Sequence, residues 1–182
     1  MALTFQELDR RWQSVPAAPR IRGRVAQVCL RPAVDQRTFP EVLQLCPDRG
    51  AIGDRWERRT WMYLSDGRPD PRVQVALMNQ RMLEFLQSLT GSRHHPGDTL
   101  IVDLDLTEDH IPPGTQLLVG SALIEISDVV NDGCTKFARH YGDDVFAWMR
   151  DPSRKALRLR GTFARVVRAG QVRSGDLIAL PG

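Results

Sequence analysis

The sequence predicts a mainly β protein with a few short helices, whose strands close, or nearly close, an antiparallel barrel. Three observations carry that expectation. Apolar residues recur at every second position in several short, evenly spaced segments, the period of a half-buried strand. Turn-forming residues separate these segments, with 12 prolines and 14 glycines spread along the chain, and short strands joined by turns remove their exposed edges by closing on themselves. At 182 residues the chain can bury one full hydrophobic core and is too short for two ordinary domains. Residues 1–20 are expected to form an N-terminal helical segment and residues 21–182 the barrel domain.

In chain order, Thr4 with Glu7 makes a capping box, and Phe5, Leu8 and Trp12 fall on one helical face, which "PAAPR" ends. "GRVAQVCL" reads as a strand with Val25 and Cys29 on one side and Ala26, Val28 and Leu30 on the other. "CPDRGAIGDRW" is a turn-rich loop from which Asp54 and Arg55 are expected to project. "DPRVQVALMNQRMLEFLQSL" starts with strand alternation at Val73, Val75 and Leu77. It continues at helical spacing through Met78, Met82, Phe85 and Leu89, with a cap near Asn79. "TLIVDLDL" places Leu100, Val102, Leu104 and Leu106 on one strand face and Ile101, Asp103 and Asp105 on the other. "GTQLLVGSALIEISDVV" reads as two strands broken at Gly120. "LRLRGTFARVV" is expected to be one strand with Leu157, Leu159, Phe163 and Arg165 on a shared face, before a closing "VRSGDLIAL". No internal repeat or low-complexity segment interrupts this pattern.

Composition narrows the function classes. Hydrophobic residues make up 42% and charged residues 26% of the chain, values of a soluble globular protein rather than a disordered or fibrous one. No apolar run reaches the length of a bilayer, and the N-terminus is charged where a signal peptide needs an apolar stretch, so a cytoplasmic protein with no membrane partner is expected. Three cysteines without an export signal point to reduced thiols, and their spacing gives no zinc pattern. The formal charge is +3, and nearly every cation is an arginine, Lys136 and Lys155 being the only lysines. Arginine's planar fork suits phosphates and carboxylates, although arginines spread over a solvated surface account for the same composition. With 22 acidic residues interleaved among the basic ones, a nucleic-acid partner is not expected. Phosphate loops, zinc-protease helices and serine elbows are absent from the sequence, which leaves hydrolase and nucleotidase readings without support.

The stretch "NDGCTKFARHYGDD" carries the chemistry. Cys134 follows a turn and precedes a segment that reads as a short helix ended by Gly142. A helix start and the nearby Lys136, Arg139 and His140 favour a thiolate, the form that attacks sulfur donors and binds soft metals. The alternative is a thiol that only packs, as most free cysteines do. Cys29 reads as a small buried hydrophobe in its strand.

"GSALIEISDVVNDGCTKFARHYG" followed by "LRGTFARVVRAGQVRSGDLIAL" resembles the C-terminal half of the MOSC family, the domain found at the end of molybdenum cofactor sulfurases. Upstream, "GAIGDRW", "PRVQVALMNQRMLEFL" and "GDTLIVDLDL" resemble that family's GDR segment, its following strand and helix, and its "GENL" strand, in the same order from about Gly23 to Leu180. The resemblance implies a MOSC-like closed or nearly closed β-barrel in which Cys134 matches the family cysteine. That cysteine is proposed in the family to carry sulfur as a persulfide or to ligate molybdenum in a pterin cofactor. It also implies that Asp54 and Arg55 match the GDR segment, and it suggests Lys136, Arg139 and Arg165 as further cofactor contacts. Whether such a chain is an enzyme, a molybdenum-dependent reductase or a sulfur-transfer protein stays open. Either branch needs a partner, a cysteine desulfurase or other sulfur donor in one case and an electron-transfer protein in the other. Pyridoxal phosphate is associated with the larger sulfurases through a domain this sequence lacks, and it is not expected here. Three positions depart from the family pattern: Trp56 stands in place of the histidine after GDR, Gly133 in place of the proline before the cysteine, and Asp103 where glycine is common.

Other groupings are explained without chemistry. His94 and His95 are adjacent, point opposite ways in an extended chain and read as a solvated loop. The carboxylates at 103, 105, 108 and 109 with His110 could hold a hard cation, but lack the spacing of a calcium loop and read as an exposed strand face. A noncatalytic barrel that binds an anionic pterin or a protein, with Cys134 only structural, is the rival reading.

Overall fold

The computed structural model describes residues 3–181. Its strands are β1 (Arg22–Val28), β2 (Leu43–Cys46), β3 (Gly50–Ala51), β4 (Val75–Asn79), β5 (Leu100–Asp103), β6 (Gln116–Val119), β7 (Ala122–Ile126), β8 (Thr162–Arg168), β9 (Gly170–Val172) and β10 (Leu177–Ala179). Its α-helices are α1 (Phe5–Gln13), α2 (Gln80–Thr90), α3 (Thr135–Tyr141) and α4 (Asp143–Arg150). Seven strands close a barrel in the order β1-β10-β6-β7-β8-β4-β5, and β3-β2-β9 form a separate three-stranded sheet.

Closure is as expected, but one pairing is not antiparallel. β4 and β5 run parallel, Leu77 opposite Leu100 and Asn79 opposite Val102. The cause is α2 between them: a parallel pair needs a crossover, and the helix supplies it. Asn79 starts α2, its Oδ1 accepting from Arg81 N at 2.8 Å and Met82 N at 3.2 Å. Gly91 ends the helix in the left-handed region at φ 69°.

Two hydrophobic layers lie on either side of the barrel wall. Val25, Leu77, Leu100, Val102, Ile124 and Ala164 fill the interior. Met78 and Ile101, one residue out of phase, face outward beneath the helices, where they meet Leu8, Met82, Phe85 and Trp148. The alternation read in "TLIVDLDL" is therefore right about faces, but Ile101 enters a second core rather than solvent. Leu104 and Leu106 keep the interior face after β5 has ended. Each large buried side chain contributes about 1.5–3 kcal/mol.

Two strand readings are corrected. In β1 a bulge between Val25 and Gln27 shifts the register against β5, so Val25 and Val28 are both buried. One extra residue inverts the parity that strict alternation assumes. "LRLRG" is not strand: Pro152–Leu157 is a 3-10 turn, and the chain passes through positive φ at Arg158 (46°) and Gly161 (93°) before β8 starts. Leu157 and Leu159 thus share no strand face with Phe163. At Gly161 a Cβ would stand 2.0 Å from the Leu77 carbonyl oxygen, so glycine is what lets β8 approach β4.

The first helix begins at Thr4, whose hydroxyl accepts from Glu7 N at 3.2 Å. Glu7 does not close a reciprocal box; its carboxylate pairs instead with Arg10 and Arg11. Among the described residues no helix is long and apolar enough to cross a membrane.

Candidate functional site

Outside the barrel wall, between α3 and the loops around it, lies a cavity of about 510 Å³, within the size range of small-molecule sites. The loop after β1 brings Arg31 and Arg37, the turn after β3 brings Arg55, and the loop before β5 brings His94 and Asp98. Cys134 and Lys136 come from the start of α3, and Arg160 from the turn before β8.

Cys134 occupies the N-cap position of α3 with extended backbone, φ −137° and ψ 166°, and its side chain makes no cap bond. Its carbonyl accepts from Phe137 N at 2.9 Å, so the backbone is held while the sulfur stays free. It is the exposed thiol of the three; Cys46 is half-buried, and Cys29 is buried with its thiol pushed up to about 11 by desolvation. α3 is seven residues long, too short for its end to carry the electrostatics. What distinguishes Cys134 is its exposure and its cationic neighbours, and the reading of a thiol that merely packs in the interior is corrected.

The cations around the cavity divide into held and free. Arg31 is fixed by Asp54, Nε at 2.9 Å and Nη2 at 3.1 Å from its two carboxylate oxygens. Arg160 Nη1 lies 2.8 and 2.9 Å from the oxygens of Asp98, whose side chain is wholly buried. The guanidinium of Arg160 also lies 4.7 Å from the Phe137 ring centroid. Lys136 pairs with Asp35. Arg37 and Arg55 form no salt bridge among the described residues, and Arg37 Nε and Arg160 Nε are buried without a hydrogen-bond partner. A buried donor left unpaired costs about 1–3 kcal/mol unless something outside the protein accepts from it.

Of the residues singled out in the sequence, Cys134, Arg55 and Lys136 meet at the cavity. Asp54 does not project from its loop: it is 2% exposed and accepts from Arg31 N, the Arg31 guanidinium and Trp56 N. It shapes the wall and cannot touch a ligand there. Arg139 is exposed and lies outside the cavity lining. Arg165 is also elsewhere, because β8 turns Ala164 and Val166 inward and Arg165 outward, opposite Glu125 of β7. The two pair at 2.9 Å, and the guanidinium holds the Glu125 carboxyl below its usual range.

The histidine loop is not solvated as expected. His94 stacks on His140 from α3, ring centroids 3.3 Å apart and planes 12° from parallel, and the Tyr141 hydroxyl donates to the His94 carbonyl. Burial, with His140 adding to it, lowers the His94 pKa. Gly97 N donates to His95 Nδ1 at 3.0 Å, which puts the imidazole proton on Nε2, and burial pushes the His95 pKa down to about 4. The acidic strand face is absorbed by ion pairs, Asp103 with Arg81 and Asp105 with Arg20, while His110 Nδ1 meets the Asp105 carbonyl. Among the described residues no group of three or more His, Cys, Asp or Glu side chains could hold a metal ion.

The departures from the family pattern have structural reasons. Trp56 is buried, packed against Gly50, and contributes no group to the cavity. Gly133 has φ 78°, which proline cannot adopt, and a Cβ there would lie 2.8 Å from the Phe146 ring. Arg31, Arg37, Asp98 and Arg160 were not legible as site residues, since no local motif marks them and folding alone brings them together. A second cavity of about 290 Å³ shares Val130, Asn131, Asp132 and Arg160 with the first. Its arginines are occupied: Arg150 by Asp132, Arg154 by Asp9, and Arg158 by the carbonyls of Leu106 and Ile111.

No family model matches the chain. No curated protein matches it in sequence. Solved structures do match its fold. The YuaD protein from Bacillus subtilis superposes with a TM-score of 0.64 at 18% identity, over 87% of this chain and 94% of that one. YiiM from Geobacillus stearothermophilus gives 0.57 at 14% identity, over 88% and 75%. YiiM from Escherichia coli gives 0.56 at 18% identity, over 87% and 70%. The fold is the MOSC-like barrel that the sequence resemblance implies.

Proposed function

We propose that the chain is a MOSC-family protein whose cavity binds an anionic, phosphate-bearing ligand of the molybdenum-pterin kind, with Cys134 as the group that holds sulfur or metal. One observation carries this reading: the exposed thiol of the chain stands in the wall of a cavity that also holds two arginines, Arg37 and Arg55, with no carboxylate partner among the described residues. The residues fit such a group. Arg37 and Arg55 would take its phosphate, the orphaned Arg37 Nε offering a donor, and Cys134 would be the chain's one ligand to a soft metal. With no cluster of three ligating side chains among the described residues, the remaining ligands would have to come from the cofactor. When bound, that cofactor would supply oxygen-atom and electron transfer, with electrons delivered by a partner protein.

The sulfur-carrier branch uses the same thiol. Cys134 thiolate attacks the terminal sulfur of a donor persulfide, such as one on a cysteine desulfurase. The new S–S bond forms as the donor's S–S bond breaks, and the electron pair leaves on the donor thiolate. An exposed sulfur suits this exchange, which needs in-line access for the donor.

The test is a native mass spectrum of protein purified without reductant from cells that make molybdenum cofactor, beside Cys134→Ala. A one-sulfur or molybdopterin-sized adduct on the wild type alone is the expected result and identifies the branch. Two bare spectra, or the same adduct on both proteins, would overturn the role of Cys134 and favour a noncatalytic binding module.

A further inference from the structure

A single arginine ties the turn that carries Cys134 to the barrel. Arg160 stands in the turn before β8, and its Nη1 donates to both oxygens of Asp98, 2.8 and 2.9 Å away. Asp98 is itself anchored, because the next residue bonds to two strands' ends: Thr99 Oγ1 accepts from Ala76 N of β4 at 3.2 Å, and its carbonyl accepts from Cys29 N just past β1 at 2.9 Å. The same guanidinium lies over Phe137 in the first turn of α3, 4.7 Å from the ring centroid. On the other side of the thiol, the Arg160 carbonyl accepts from Asn131 Nδ2 at 3.3 Å, and Asn131 Oδ1 accepts from Gly133 N at 3.3 Å. Cys134 thus lies between two contacts of one residue, while its own side chain makes no cap bond.

Two local costs mark this arrangement as built for more than stability. Arg31 meets Asp54 through two nitrogens of its fork, Nε and Nη2. Arg160 meets Asp98 through Nη1 alone and leaves Nε buried without a partner. A Cβ at Gly133 would stand 3.4 Å from that nitrogen, so the unpaired donor faces the cysteine turn. The backbone reaches this position through Arg158, a non-glycine residue at φ 46° and ψ 46°. An ion pair that served stability alone would engage the fork fully and would need no left-handed residue beside it. We infer that Arg160, held by Asp98, is a positioning residue for Cys134: it fixes the turn before α3 and so sets where the sulfur stands in the cavity. The inference rests on the proposed role of Cys134 as the reacting group, but the position of the thiol is measurable whether or not sulfur or metal is bound.

Arg160→Met alone leaves the Asp98 carboxylate buried and unpaired, so the informative variant is Arg160→Met with Asp98→Asn, which removes both charges at similar volume. The experiment measures nitroxide–nitroxide distances by pulsed electron resonance between Cys134 and Arg24→Cys, an exposed position of β1. Cys46→Ser removes the half-buried thiol, and Cys29 is buried. A second pair, Arg24→Cys with Arg165→Cys of β8 in Cys134→Ala, reports on the barrel alone. With the double replacement the Cys134 distance distribution should broaden about two-fold, the change from an ordered to a mobile loop, while the barrel pair stays as narrow as before. The one-sulfur or molybdopterin-sized adduct on unlabelled protein should fall with it. An unbroadened Cys134 distribution would overturn the inference, because the turn then holds itself. Equal broadening of both pairs would overturn it too, since the ion pair then serves overall stability, as would an adduct that survives the broadening undiminished. Broadening in a protein whose wild type gains no adduct would support the tether and count against the role of Cys134 alone.

Discussion

His95 shows at the scale of one residue how the cavity's walls are made. Two adjacent histidines read as a loop in water because nothing local signals burial. In the fold His94 is capped by the His140 ring, and His95 lies against Phe39, centroids 5.2 Å apart, with Nε2 unpaired. The folded protein therefore keeps His95 neutral down to about pH 4, while the unfolded chain protonates it near 6.5. Since the unfolded state binds the extra proton, stability falls as pH drops from 6.5 towards 4 and levels off below. The term is at most about 3 kcal/mol over the full window. Urea unfolding at pH 7 and pH 5 should show the wild type losing up to about 2 kcal/mol more than His95→Asn. Equal losses would mean that His95 is protonated in the folded state and that its burial is not what holds the loop.

Among the elements, those with a strong local signal were legible and those set by a partner strand were not. The β4–α2 junction was readable because alternation gives way to helical spacing at a side chain, Asn79, that caps the helix. The bulge in β1 was not, because it exists only in the pairing with β5. The GDR turn lies between: its position was clear from Gly50 and Gly53, but the direction of Asp54 was not, because the partner it binds, Arg31, is 23 residues away. Asp54 ties that turn to Arg31, in the loop after β1, through three hydrogen bonds, and a fourth from Trp56 N closes the turn itself. Its carboxylate is wholly buried against an arginine 24% exposed. Removing one partner of such a pair leaves a charge poorly compensated, at a cost of about 3–5 kcal/mol. Asp54→Ala should therefore lower the unfolding free energy obtained from urea titration by that amount, with Asp54→Asn intermediate. A variant as stable as wild type but defective in ligand binding would return Asp54 to the role of a ligand contact.

At the scale of the whole molecule the site is a seam between two layers, the closed barrel and the helices packed outside it. Motifs in the sequence located Cys134, Arg55 and Lys136, but the cavity joins segments from Arg31 to Phe163, and only closure of the barrel determines which of them meet. Each barrel strand is hydrogen-bonded to a neighbour on both sides, so no strand can leave without breaking two ladders. α3 and α4 have no such ladder. They meet at Gly142 without a side-chain cap and rest on Phe137, Tyr141, Val145 and Trp148 packed against α1, α2 and the outer barrel wall. Opening them exposes one helical layer and leaves the interior core intact, so it needs only part of the global unfolding energy. Native-state hydrogen exchange should give α3 and α4 amides a lower opening free energy than those of β1, β5 and β8, with a weaker dependence on denaturant. Because Cys134 stands at the N-cap position of α3, the same opening would set how freely a bulky donor reaches its sulfur. Identical free energies and slopes in both layers would make the molecule one cooperative unit, and access to Cys134 would then be fixed by the closed cavity alone.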